Sequence, residues 1–467
     1  MHTLVFAFCG FFVSGADAKL YNNASQVVLL RHGNRTVMTM SNNYKGPTED
    51  FAMVVPVPVV LQKEQVKTLP PNVFDHIDQL SAPRLVEYWE RDPCEPEAYP
   101  EEKMAKSVGS GAAPRREAAE GNLGVKIEAK FEVGEYQILI LSAKEAGGLE
   151  TWLHLHKYKI PEGAAGALAP YIREQMKFFV AKVNIQKVKH DENGLVVLSP
   201  LRFDFEASEL RLPVRLGLLN AESKQDLIVY VLSQNSRYEV ANYRTVAIPT
   251  NLDVLDEVRH SFAQFYAELF DATLKQYGGR AVVTEYAWDT GSCDPCPTPP
   301  LGPSEIATLG GDVAFGMGAT EPQEEQKRRP GPGRFRGGYM RMILTRLHTR
   351  YDKQTLSDDL VFKEAPPMMG GREGVAQTVV GQGAYANNFQ ARYIIRHYWQ
   401  GKVACEHPVW GRWGGPPGTP AWQTSQKPAA AARNLANTPR GKVTLKKVVA
   451  TPVPALGLAG IHHPEHK

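Results

Sequence analysis

The stretch Gln26-Val27-Val28-Leu29-Leu30-Arg31, His32-Gly33-Asn34-Arg35, Thr36-Val37-Met38-Thr39-Met40 limits what this chain can become more than any other. Two β-rich runs face each other across a Gly-Asn pair. Gly and Asn accept the positive φ that tight hairpin turns require, and β-branched residues flank them. An antiparallel pair is therefore predicted close to the start, and the rest of the chain has to extend or cover it.

Further strand-like runs follow. Residues 50–61 are extended and apolar, but Pro56 and Pro58 remove two backbone donors on one side. That predicts a sheet edge or a packed arm, not a central strand. Residues 125–133 and 136–141 read as two strands joined by Gly134-Glu135, and 176–183, 195–198, 201–205, 210–219 and 226–233 continue the series. Helices are predicted near 148–158 and 164–175. Residues 71–89 read as mostly helical, with a break at Pro83. The strongest helical stripe is Val254, Val258, Phe262, Phe265, Leu269 and Leu274, with Asp253 as N-cap and Gly278 beyond the last turn. Strands are also predicted at 281–288, 339–347, 359–362 and 387–398, with a last one at Val443-Thr444-Leu445.

Strands with a few inserted helices, and no regular βα alternation, predict an α+β protein dominated by antiparallel sheet, in two packed subdomains. The divisions are a signal-like segment at 1–18 and a hairpin, Pro-rich arm and helix at 19–94. A mobile loop at 95–124, rich in Glu, Ala, Gly and Ser, comes next, then a central α+β domain at 125–300. A flexible connector at 301–338, C-terminal strands at 339–409 on the same core, and a Gly-, Pro- and Ala-rich tail at 410–467 complete the chain.

Charge excludes one class of partner. The 53 basic and 50 acidic residues are interspersed and leave a net charge of +3, which is no footprint for nucleic acid. The basic run at 327–336 reads as a solvated loop, and Gly331 to Gly338 lacks the Gly-Lys-Ser/Thr ending of a phosphate loop. No apolar run reaches the length of a spanning helix. Leu4 to Val13 is apolar and resembles a secretory signal, with cleavage points after Ala7 or Ala18, although no Lys or Arg precedes it.

The chain has five cysteines: Cys9, Cys94, Cys293, Cys296 and Cys405. Only Cys293-Asp294-Pro295-Cys296 has a spacing that implies chemistry by itself. Such a pair can close a small disulfide, exchange with a substrate disulfide or hold half a metal site. Pro297, Pro299 and Pro300 follow at once, so no long helix begins there to lower a thiol pKa, although Ser304-Glu305-Ile306 can start a short one. A structural crosslink is the favoured reading, within the pair or to Cys94 and Cys405. His154 and His156 point apart on a helix, and His462, His463 and His466 lie in the tail. No metal or cofactor is expected. Neither a Gly-X-Ser-X-Gly elbow nor a His-Glu-X-X-His occurs.

Several unusual motifs resemble those of one family. They are Phe8-Cys9-Gly10-Phe11-Phe12-Val13, Asp50-Phe51-Ala52-Met53-Val54-Val55-Pro56-Val57-Pro58 and Ser81-Ala82-Pro83-Arg84-Leu85-Val86-Glu87-Tyr88. Val133-Gly134-Glu135-Tyr136, Cys293-Asp294-Pro295-Cys296-Pro297 and Arg412-Trp413-Gly414-Gly415-Pro416-Pro417 complete the set. Together the chain resembles the bacterial exported proteins known as domain of unknown function 2330. The resemblance implies export to the periplasm, cell surface or medium, favours cleavage after Ala7, and implies no activity. The reading is thus an exported, non-enzymatic binding or structural module whose partner is an envelope component or another protein. The alternatives are a thiol–disulfide oxidoreductase using Cys293 and Cys296, or a hydrolase without a recognisable motif.

Overall fold

The computed structural model describes residues 11–14, 21–45, 51–95, 125–156, 158, 160, 163–184, 186–190, 196–220, 224–317, 341–372, 375, 378–419, 428–433 and 435–461. Cys9, the loop at 96–124, most of the connector and His462 to His466 lie outside the described residues.

The predicted hairpin forms as Tyr21–His32 and Arg35–Lys45, with Gly33 at φ 54° in the turn. It sits inside an 11-stranded sheet. On one side Arg35–Lys45 pairs with Leu201–Glu206. On the other, Tyr21–His32 runs parallel to Gln225–Ser233, which pairs antiparallel with Ile343–Tyr351 and through it with Ala281–Asp289. Both faces of this sheet are covered. Val27 and Leu29 face one core, and Val28 and Leu30 face another. This two-sided burial explains why the run Val27-Val28-Leu29-Leu30 is continuously apolar.

A second, five-stranded sheet packs on the hairpin end of the first. It consists of Phe11–Ser14, Phe51–Val57, Lys177–Val183, Tyr136–Ala143 and Val125–Val133 in that order. Its outer face is covered by the helices Ala146–Leu155 and Ala164–Arg173 through Leu149, Leu153, Leu168 and Tyr171. Phe51–Val57 is not an edge strand, as Pro56 and Pro58 suggested. Phe11–Ser14 pairs with it on one side and Lys177–Val183 on the other, so the strand is internal although it contains Pro56.

The helix at 71–89 is also cut short. Asn72–Ser81 is helical, but Arg84–Glu90 is a strand parallel to Arg392–His397. Pro83 ends the helix, and the β-branched and aromatic residues after it suit a sheet. The long helix starts at Phe262, not at Asp253, and runs to Gln276 with Gly278 at φ 64° beyond it. Leu252–Asp253 instead pairs with Arg392–His397, and the Asp253 carbonyl accepts from the Ala450 N–H at 2.9 Å. This helix packs on a five-stranded third sheet made of Leu252–Asp253, Arg392–His397, Arg84–Glu90 and Trp413–Gly414, with Ala430–Ala431 also paired to Arg84–Glu90.

Three C-terminal expectations change. The run 387–398 is two strands: Asn388–Gln390 joins the central sheet and Arg392–His397 the third. Pro303 to Ala314, assigned to a flexible connector, is helical and buries Ile306 and Leu309. It docks on the hairpin at Gly310, where a Cβ would lie 2.6 Å from Val37. The tail after residue 410 is built into the fold: Trp413–Gly414 and Ala430–Ala431 pair with Arg84–Glu90, and Val449, Val453 and Leu458 pack under the long helix. Val443-Thr444-Leu445 is not a strand; Leu445–Val448 is a single helical turn.

Candidate functional site

The four described cysteines form two crosslinks. Cys94 is bonded to Cys405 across 311 residues, and Cys293 is bonded to Cys296. Both residues of the second pair are half-buried. Its loop leaves the strand Ala281–Asp289 and is gripped from beneath by two buried side chains. The Gln390 amide donates to the Asp294 carbonyl, and the Arg84 guanidinium donates to the Pro295 carbonyl at 2.8 Å. Arg84 also caps the end of the helix Asn72–Ser81 through the Leu80 carbonyl at 2.5 Å. Burial lowers the Arg84 pKa to about 10, against the pull of Tyr286 and Asp294. The helix Pro303–Ile306 begins only after the proline run, so no helix N-terminus meets the sulfurs.

Nothing in the motif search pointed to the second cluster. Glu285, Arg346, His348, Asp226 and Asp78 form one buried chain of charges, none more than 4% exposed. Three neighbouring strands and one helix supply them. A bulge between Thr284 and Tyr286 turns Glu285 toward Ile343–Tyr351. One Glu285 oxygen accepts from Arg346 Nε at 2.6 Å, and the other accepts from His348 Nδ1 at 2.9 Å and the Tyr266 hydroxyl at 2.6 Å. His348 Nε2 donates to Asp226 at 3.1 Å, and Arg346 donates to Asp78 at 2.5 Å. Arg433, from the C-terminal segment, closes the chain on the second Asp78 oxygen at 2.6 Å.

The electrostatics are set by these pairs. Burial alone would raise the Glu285 carboxyl, but His348 and Arg346 outweigh it and hold it at about 2. Burial would lower His348, but the carboxylates of Glu285 and Asp226 raise it to about 8. The ring is thus an imidazolium at neutral pH, with Phe270 stacked on it at 4.2 Å between centroids. Both of its N–H groups are donated to carboxylates. While protonated it offers no lone pair, and both of its protons are held by carboxylates.

This chain reaches the surface at a cleft of about 380 Å³, within the usual size of small-ligand sites. Asp78, Asp226, His348 and Arg433 form its polar wall, and Phe74 and Ile228 its apolar one. The sequence carries a faint signal of the cluster: Glu285 interrupts the largely apolar run Ala281–Trp288, and Arg346 and His348 alternate with Thr345, Leu347 and Thr349. Their convergence is invisible there, because Asp78 and Arg346 are 268 residues apart. His154 and His156 lie exposed at the end of the helix Ala146–Leu155. Among the described residues no group of three His, Cys, Asp or Glu side chains is arranged to hold a metal ion, and no helix is long and apolar enough to cross a membrane.

The sequence profile of a bacterial family, described as an uncharacterized protein conserved in bacteria (DUF2330), matches residues 4–363. The chain belongs to this family. The DUF2330 region contains Asp78, Asp226, Glu285, Arg346, His348 and the Cys293–Cys296 loop, and it ends before Arg433 and Cys405. No curated protein and no solved structure matches the chain.

Proposed function

We propose that this is an exported, non-enzymatic binding module that holds a small polar ligand in the cleft beside His348. The observation that carries this reading is the pairing of the buried charges in the cleft wall. Asp78, Asp226, His348 and Arg433 are locked to one another or to buried neighbours. A wall of fixed, mutually paired charges is preorganised for recognition. Two lines support export: the apolar start Leu4 to Val13, and crosslinks that persist in oxidising compartments.

The test is a thermal-shift and calorimetric screen of amino acids, small carboxylates and monosaccharides against wild type and Ser41→Phe, which fills the cleft from the hairpin side. At least one compound should stabilise wild type and leave the filled variant unmoved. Turnover of an ester, amide or glycoside that disappears in His348→Gln would sink the non-enzymatic reading.

A second reading is thiol–disulfide exchange at Cys293 and Cys296. Its support is that the two are bonded to each other and half-exposed, with neither tied to Cys94 or Cys405. The pre-reduced protein would then reduce insulin disulfides, and Cys293→Ser would not. Equal rates in the two proteins would remove this reading.

A further inference from the structure

Two charged groups in the cleft beside His348 keep an atom in reserve, and the two atoms differ in sign. Ser41, Gln26, Ile228 and His348 stand in one row across four neighbouring strands. Asp226 lies two residues before Ile228 on its strand and so shares that face. All five line the cleft. Arg433 lines it from the C-terminal segment and is anchored on Asp75 and Asp78 of the helix Asn72–Ser81.

Asp226 is only 4% exposed, yet half of its carboxylate is unsatisfied. Oδ1 accepts from His348 Nε2 at 3.1 Å. Oδ2 accepts no hydrogen bond from any described residue. Arg350 Nε stands 3.9 Å from it, beyond hydrogen-bond length, and the same guanidinium leans on Asp271 at 3.6 Å. A carboxylate oxygen removed from water and left without a donor is costly, and a donor entering the cleft offsets that cost. Arg433 shows the opposite excess. Its Nε donates to Asp78 at 2.6 Å and its Nη2 to Asp75 at 3.0 Å, while Nη1 donates to no described residue.

We propose that the cleft takes a small zwitterion of the amino-acid type, its ammonium on Asp226 Oδ2 and its carboxylate on Arg433 Nη1. This rests on the cleft reading above and names its ligand. An ammonium carries three donors and no acceptor, a guanidinium carries only donors, and hydrogen bonds between ionised partners are the strong ones. The aliphatic part of the ligand then lies against Phe74 and Ile228, with the amide of Gln26 and the hydroxyl of Ser41 on the floor. Charge sorts the alternatives. Asp75, Asp78 and Asp226 outnumber Arg433 and His348 in the lining, so a simple anion meets net repulsion. A simple amine leaves Arg433 Nη1 unused. A sugar hydroxyl reaches the same atoms but brings no charge to offset either. The volume of about 380 Å³ admits an amino acid or a dipeptide.

The full-length protein is titrated by calorimetry with L-leucine and L-alanyl-L-leucine, and with the two halves of leucine, isopentylamine and isocaproate. At least one of the zwitterions should bind wild type at least tenfold more tightly than either half, and should not bind Ser41→Phe. Asp226→Asn keeps an acceptor for His348 and replaces Oδ2 by an amide N–H. It should weaken the zwitterion at least tenfold and leave isocaproate unchanged, whereas a merely structural defect would weaken both alike. The proposal is overturned if isopentylamine or isocaproate binds as tightly as the zwitterions, or if Asp226→Asn binds them as wild type does. A monosaccharide or carboxylate that stabilises wild type while neither zwitterion binds also overturns it and leaves the cleft reading standing. No response to any compound overturns both.

Discussion

Where the second sheet covers it, the central sheet is held by Val27, Leu29, Met38, Met40 and Phe203 against Ile138, Ile140 and Phe179, all essentially buried. Only a few strands away the same sheet is held by Glu285, Arg346, His348 and Asp226. The apolar half needs only shape and volume, so many substitutions there lose little. The charged half needs each partner present, because removing one leaves another buried charge with nothing to offset its lost hydration. A protein that needed only stability would have little reason for the second arrangement. Its position beside a cleft is what turns the contrast into a functional argument.

The largest expected effect breaks the charged half. Arg346→Met should cost about 3–5 kcal/mol, since Glu285 and Asp78 both lose their buried cation. Adding Glu285→Leu should recover part of that loss, which a double-mutant cycle by urea denaturation would read as strong coupling. If the two changes add independently, the charges are not a unit.

Titration gives the next effect. His348 is raised from 6.5 to about 8, so its contribution is fully present below 6.5 and is lost as the pH rises through 8, at a cost of about 2 kcal/mol. Glu285 is lowered from 4.5 to about 2, so its contribution is present above 4.5 and is lost as the pH falls toward 2. Urea midpoints measured across this range should be highest between the two limits. His348→Gln should flatten the alkaline limb and leave the acid limb standing. An alkaline limb that persists in that variant would place its origin elsewhere.

The smallest effect belongs to the apolar half. Ile138→Val should cost about 1 kcal/mol, with no new pH dependence. A loss comparable to that of Arg346→Met would erase the distinction between the two halves.

Much of the architecture was legible because local chemistry decides it. Gly33-Asn34 fixed the first turn, Gly134 the second, and the helices at Ala146–Leu155 and Ala164–Arg173 followed their apolar spacing. The failures fall where tertiary contacts decide. Arg84–Glu90 and a helix continuing past Pro83 share the same apolar positions, and only the partner strand Arg392–His397 selects between them. Asp253 resembles an N-cap until Ala450 and Thr451 claim its backbone. The cysteines were visible as candidates, but their pairing depends on folds that bring Cys94 to within a Cα separation of 5.4 Å of Cys405. The charge chain was the least legible, since charged residues on three separate strands and a helix do not announce that they will meet.

One residue joins the central sheet to the third. The Ala391 N–H donates to the Glu285 carbonyl in the central sheet at 2.8 Å, and the Ala391 carbonyl accepts from the Arg84 N–H in the third sheet at 2.9 Å. Strand Arg392–His397 leads from there straight to Tyr398 and Trp399. The peptide groups of Ala391 therefore stitch the strand that carries Glu285 to the strand that carries Arg84, and the buried charges share a seam with the third sheet.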